Sequence, residues 1–210
     1  MKNILILGAG GQIARLVIGL LSAQKDVRLT LFLRDAGKLG KGYAHTRVLE
    51  GDVMDDRILR EAMAGQDIVY ANLGGALDKQ AESIVEAMKS TGVKRLIFIN
   101  SLGIYDEVPG AFGKWNQRMI GRYLPAFRKA ADTIEASGLD YTILRPAWLM
   151  DEDEVDYETT KKDETFKGTE VSRKSVAALV VRLIETPDWE VDSNLGVNKP
   201  HTDGDKPSFY

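Results

Sequence analysis

The sequence predicts an α/β fold in one domain, a doubly wound parallel sheet with helices on both faces. Two observations predict it. Short apolar, β-branched runs alternate with longer stretches of helical periodicity, which is how successive βαβ units read. Most of the short runs are continuously apolar rather than alternating, as expected of strands covered on both faces.

The first run, Asn3 to Leu7, ends at Gly8 and passes into Gln12 to Ala23, where Ile13, Leu16, Val17 and Leu20 share one helical face. Further strands are expected at Arg28 to Leu33, Thr46 to Leu49, Asp67 to Ala71, Arg95 to Asn100, Tyr141 to Leu144 and Leu195 to Asn198. Ala81 to Ser90 places Ile84, Val85 and Met88 on one helical face. Lys129 to Ser137 reads as a helix stopped by Ser137-Gly138, and Ser172 to Thr186 starts on a serine cap and ends before Pro187. Right-handed crossovers then favour a doubly wound sheet. Two stretches fit poorly: 103–125, rich in glycine and aromatics, and 151–168, dense in charge. Both are expected to be loops or partial lids following strands at the carboxyl edge, where open α/β sheets form their ligand crevice.

The 210 residues, 44% hydrophobic, suffice for one sizeable core, and no apolar run approaches a bilayer-crossing length. Neither a signal peptide nor a membrane partner is expected. The absence of cysteine excludes disulfides, thiolate metal sites and a cysteine nucleophile, and fits a reducing compartment, so a cytoplasmic location is expected. A net charge of −3 gives no broad positive field, so nucleic acid is not an expected partner. No metal site is expected either. Asp151 to Glu154 lacks the glycine and spaced glutamate of a calcium loop, and His45 and His201 are far apart in sequence.

The chemistry is concentrated in Gly8-Ala9-Gly10-Gly11-Gln12-Ile13-Ala14. Gly8 permits a tight turn, Gly10 and Gly11 let backbone amides approach a diphosphate, and the small Ala14 lets the helix pack on the strand. The amides that open the helix, at Gln12 and Ile13, add positive potential. A strand, this turn and a helix within one βαβ unit form the Rossmann-type site for a nicotinamide dinucleotide.

The second strand ends in Arg34, where an NAD site usually places an acidic residue for the ribose hydroxyls. Arg34 and Lys38 suit a 2′-phosphate, so NADP(H) is favoured over NAD(H). Asp35 either serves a ribose or caps the next turn. Gly51, Asp52 and Val53 follow the third strand, and Leu73, Gly74 and Gly75 the fourth, positions that suit adenine and ribose contacts. For Asp52, capping of the helix near Asp55 is the alternative.

Six blocks together, GAGGQIA at Gly8, LFLRDAGKL at Leu31, EGDV at Glu50, GVKRLIFINSLGIY at Gly92, SGLDYTILRPAWL at Ser137 and VSRKSVA at Val171, resemble the atypical short-chain dehydrogenase/reductases, specifically the NmrA-like NAD(P)-binding family that includes flavin reductase/biliverdin reductase B. The resemblance spans nearly the whole chain. It implies NADP(H) with the adenosine phosphate near Arg34 and Lys38, and the nicotinamide beside Ser101 and the Pro146-Ala147-Trp148 turn.

Ser101 lies just past an apolar strand, where its hydroxyl suits polarising a carbonyl or orienting the nicotinamide amide. The Tyr-x-x-x-Lys pair of typical short-chain dehydrogenases, which puts both side chains on one helical face, is missing from its expected place. Lys129 stands six residues from Tyr123, off its face, and Pro125 intervenes. Tyr157 and Lys161 have the spacing, but in a charged stretch with no apolar helical face. Tyr105 is the candidate proton donor or stacking ring, with plain packing as its alternative. Trp115, Trp148 and Tyr123 either line a pocket for a planar substrate or pack a lid. The reading is an NADPH-dependent oxidoreductase that passes hydride to a small planar or carbonyl acceptor such as a flavin or quinone. The alternative is a non-catalytic NADP(H) redox sensor acting through a protein partner.

Overall fold

The computed structural model describes residues 1–39, 43 and 46–210; His45 lies outside them. The strands β1 (Lys2–Leu7), β2 (Val27–Leu33), β3 (Arg47–Glu50), β4 (Ile68–Ala71), β5 (Arg95–Ile99) and β6 (Asp140–Pro146) run parallel, and the wholly buried β4 and β5 are covered on both faces. β7 (Trp148–Met150) and β9 (Glu170–Ser172) form a small parallel ribbon. β10 (Ser193–Asn198) joins the main sheet beside β6, and β8 (Glu158–Thr160) closes its edge antiparallel. The order is β3-β2-β1-β4-β5-β6-β10-β8, so the strand order reverses between β1 and β4.

Side chains alternate across the pleat, which divides the core in two. Ile4 and Ile6 pack with α1 (Gln12–Leu21) and α6 (Arg173–Glu185), while Leu5 and Leu7 pack with α2 (Asp56–Met63), α3 (Leu77–Thr91) and α5 (Leu124–Glu135). Ser172 caps α6 as expected, its hydroxyl accepting from the Ser175 amide. Asp55, and not Asp52, caps α2, its side chain accepting from the Ile58 amide.

The 103–125 stretch departs from its expected loop. It contains α4 (Gly110–Ile120) and the start of α5, because Phe112 and Asn116, one helical turn apart, both find burial. Pro125 sits in the first turn of α5, where its missing amide costs nothing. The 151–168 stretch carries only β8 as regular structure, and three acids of its acidic run are paired: Asp151 with Arg173, Asp153 with Lys174 and Glu154 with Lys199. No helix among the described residues is long and apolar enough to cross a membrane.

Candidate functional site

Where the strand order reverses, the chain leaves a cleft of about 250 Å³ at the carboxyl edge of the sheet. Its floor is the glycine turn. Gly8 adopts φ +77°, donates to the Phe32 carbonyl at 2.9 Å and accepts from the Gly11 amide at 2.9 Å. A β-carbon at Gly8 would lie 2.1 Å from the Asn72 carbonyl oxygen, and one at Gly11 would lie 2.1 Å from Asn72 Nδ2. Asn72 therefore roofs the turn: its backbone demands glycine at Gly8, while a side chain at Gly11 would have to displace the Asn72 amide.

Gly10 is different. A β-carbon there would meet only ordinary contacts, Leu33 Cδ1 at 3.5 Å and Lys38 Cβ at 3.8 Å. The fold does not need glycine at that position; the space it leaves opens on the cleft. α1 begins beside it with Gly11 as N-cap, no capping side chain and no acidic residue in its first turn. Its opening amides, Gln12 and Ile13, find no protein acceptor among the described residues. This cradle fits an anionic diphosphate.

At the end of β2, Arg34 and Lys38 are exposed on the cleft, and neither pairs with a carboxylate among the described residues. Asp35 accepts from the Gly37 amide at 3.0 Å, the capping role of its two alternatives. Asp52 turns the chain by accepting from the Met54 amide at 2.9 Å, leaving the α2 cap to Asp55.

Of the predicted residues, the cleft brings together Gly8, Gly10, Gly11, Arg34, Lys38, Asp52, Val53, Leu73 and Gly74. Gly75 lies just beyond it at φ +93°, and the Ile13 side chain is in the core, leaving only its amide for the site. Gly51, named with Asp52 and Val53, and Asp35 line it too; Phe32, Leu33, Asn72 and Gln80 complete the lining, and sequence reasoning did not name these four as site residues. Asn72 carried one signal, a polar residue ending an apolar run. Its partner, the turn after β1, becomes visible only once β1 is known to pair with β4.

Ser101 and the Pro146-Ala147-Trp148 turn lie outside this cleft, further along the same edge. They are lateral neighbours, since Ile99 of β5 pairs with Leu144 of β6. Ser101 is half-buried, its amide donating to Asn100 Oδ1 at 2.9 Å and its hydroxyl to the Leu102 carbonyl at 3.2 Å.

Tyr105 points elsewhere. Its hydroxyl donates to Glu135 Oε1 at 2.8 Å and accepts from Asn194 Nδ2 at 2.8 Å, on the side of α5 and β10. Burial and the Glu135 carboxylate push its pKa upward, which weakens it as an acid. The loop around it is fixed by Glu107, which accepts from the Gly103 and Tyr105 amides and pairs with the fully buried Arg145. Tyr157 precedes strand β8, so it and Lys161 share no helical face. Lys129 pairs with Glu82. The described residues contain no cluster of three metal-ligating side chains.

Comparison with known proteins agrees with this geometry. A protein-family model described as NAD(P)H-binding matches residues 8–187. The structure of a Rossmann-fold NAD(P)-binding family protein from Shigella flexneri is 54% identical, covers 100% of both chains and superposes with a TM-score of 0.87. A short-chain dehydrogenase/reductase of the wide type from Veillonella parvula, solved in complex with NADP, is 31% identical over 99% of both chains with a TM-score of 0.88. Among curated proteins, the uncharacterized sugar epimerase YhfK of Bacillus subtilis is 26% identical over 90% of each chain. The chain belongs to the NAD(P)H-binding family, as a Rossmann-fold protein of the short-chain dehydrogenase/reductase type.

Proposed function

We propose that this protein is an NADPH-dependent reductase of small planar or carbonyl acceptors, flavins and quinones among them. The observation that carries the reading is the cleft itself, a glycine turn with free helix amides and two exposed cations at the end of β2. The amides of Gln12 and Ile13, with the backbone of Gly10 beside them, hold the diphosphate, while the Gly11 amide closes the turn on the Gly8 carbonyl. Arg34 and Lys38 hold the 2′-phosphate and favour NADP(H) over NAD(H). Asp52 and Val53 receive the adenine, Leu73, Gly74 and Gly75 the adjoining sugar, and Ser101 with Pro146, Ala147 and Trp148 flank the nicotinamide.

When bound, NADPH supplies a hydride, two electrons and one proton, to the acceptor. The chain's contribution is positioning. Ser101 turns its hydroxyl from the Leu102 carbonyl to donate to the acceptor oxygen, and the segments 103–125 and 151–168 exclude water. Full reduction of a quinone to a hydroquinone takes one further proton, and water supplies it, because the Tyr105 hydroxyl is engaged and weakly acidic. Acceptors that need little protonation help are therefore favoured over ketones.

The test is to incubate the protein with NADPH and a panel of flavins, quinones and aldehydes and follow the nicotinamide absorbance. Net oxidation, fastest with planar acceptors, is the expected result. An epimerase returns the hydride to the sugar it came from, so it leaves that absorbance unchanged while inverting a nucleotide sugar. Tight NADPH binding with no oxidation by any acceptor would remove the reductase reading and leave the redox-sensor role.

A further inference from the structure

Beyond the cofactor cleft, three aromatic rings from remote parts of the chain meet at the acceptor end of the sheet. Trp115 of α4 lies 4.7 Å from Trp148 of β7, centroid to centroid, and Tyr210 lies 5.1 Å from each. Both tryptophans pack against the buried cluster that contains Ile99, Leu102, Phe112 and Ala147, next to Ser101. The ring triad thus joins the 103–125 segment to the Pro146-Ala147-Trp148 turn and to Tyr210.

Its geometry is fixed by polar contacts. Trp148 Nε1 donates to Oδ1 of the buried Asn116 at 2.9 Å. Trp148 is paired in register with Glu170 of β9, whose carboxylate accepts from both the amide and the hydroxyl of Ser208. Glu170 is only 6% exposed and forms no ion pair among the described residues, so an expensive buried carboxylate is devoted to holding the segment before Tyr210. The Tyr210 amide then folds back onto the Pro207 carbonyl, which lays its ring on the tryptophans. For a ring so firmly placed, Tyr210 remains 51% exposed, and its neighbour Phe209 47%. A core-packing triad would have buried that surface; an exposed, preorganised aromatic wall stacks planar ligands at little ordering cost.

We propose that Trp115, Trp148 and Tyr210 form the acceptor-stacking wall of this reductase, with Tyr210 as the residue that selects conjugated planar acceptors over aliphatic carbonyls. The proposal rests on that reductase reading and adds the residues that select conjugated planar acceptors.

It is tested by steady-state kinetics with 1,4-naphthoquinone and butanal in the wild type, Tyr210→Ala and Tyr210→Phe, together with calorimetric NADPH binding. Tyr210→Ala is expected to raise the KM for naphthoquinone at least tenfold, with the butanal KM and NADPH affinity unchanged. Tyr210→Phe, which keeps the ring, is expected to behave as wild type. A naphthoquinone KM within twofold of wild type in Tyr210→Ala overturns the proposal. Should the wild type reduce no acceptor, the reductase reading fails by itself, and the wall is tested by tryptophan fluorescence. Trp189, which packs under Arg182 away from the triad, is replaced by phenylalanine, and the NADP-loaded protein is titrated with naphthoquinone. Saturable quenching that disappears in Tyr210→Ala sustains the wall; quenching indifferent to that change overturns it.

Discussion

Gly8 and Gly10 stand two residues apart in one turn under different constraints. A methyl group at Gly8 meets the Asn72 carbonyl and a left-handed backbone, so Gly8→Ala should cost at least about 2 kcal/mol of stability. Gly10→Ala meets only ordinary contacts and should stay within about 0.5 kcal/mol of the parent, while NADPH binding falls at least tenfold. Thermal unfolding and calorimetry on the two variants separate the roles. Arg34 is tested alike. Losing charge-assisted bonds worth about 1.5–3 kcal/mol, Arg34→Ala should weaken NADPH binding about 10- to 100-fold and leave NADH nearly untouched; equal weakening would remove the 2′-phosphate assignment. At this scale the sequence located the residues that reach the cleft with their own backbone or charge, Gly10 and Arg34 among them. It was opaque for Asn72, whose role depends on which strand lies beside its own.

Between elements, the carboxyl edge is held by a buried network that ties the β5 loop to β6, β10 and α5. Arg145 pairs with Glu107 and donates from Nε to Asn194 Oδ1 at 2.7 Å, and Asn194 in turn reaches Tyr105 and Glu135. Removing one partner leaves a buried charge alone, so Glu107→Ala should lower stability by about 3–5 kcal/mol in denaturant unfolding. Glu135 gives this network a pH signature. Burial alone would raise its pKa, but hydrogen bonds from Lys162, Asn194 and Tyr105 outweigh burial and hold it below its ordinary value of 4.5. A depressed carboxylate stabilises fully above its unfolded pKa and stops doing so as the pH falls through the folded one. The stability gap between the wild type and Glu135→Gln should therefore be widest at neutral pH and close on acidification below that value, as read from urea midpoints. Glu107 and Arg145 carry no periodicity, and the three-residue strands β7 and β9 are too short to show any, so neither this network nor the ribbon beneath Trp148 was legible. α4 hid behind Gly110 and Gly113, and tertiary burial of Phe112 and Asn116 overrides their weak helix propensity.

For the molecule as a whole, continuous apolar runs and the opening glycine turn were enough to predict the sheet, because strands buried on both faces and a tight βα turn leave few other solutions. The reversal of strand order between β1 and β4 then gives the cleft its place, with the proposed acceptor end displaced along the edge toward β5 and β6. The most direct test of this arrangement is a crystal structure of the protein with NADPH. The expected density has the diphosphate on the amides of Gln12 and Ile13 beside Gly10, the 2′-phosphate between Arg34 and Lys38, and the nicotinamide beside Ser101. Diphosphate density away from the glycine turn, or an adenosine phosphate that touches neither cation, would contradict it.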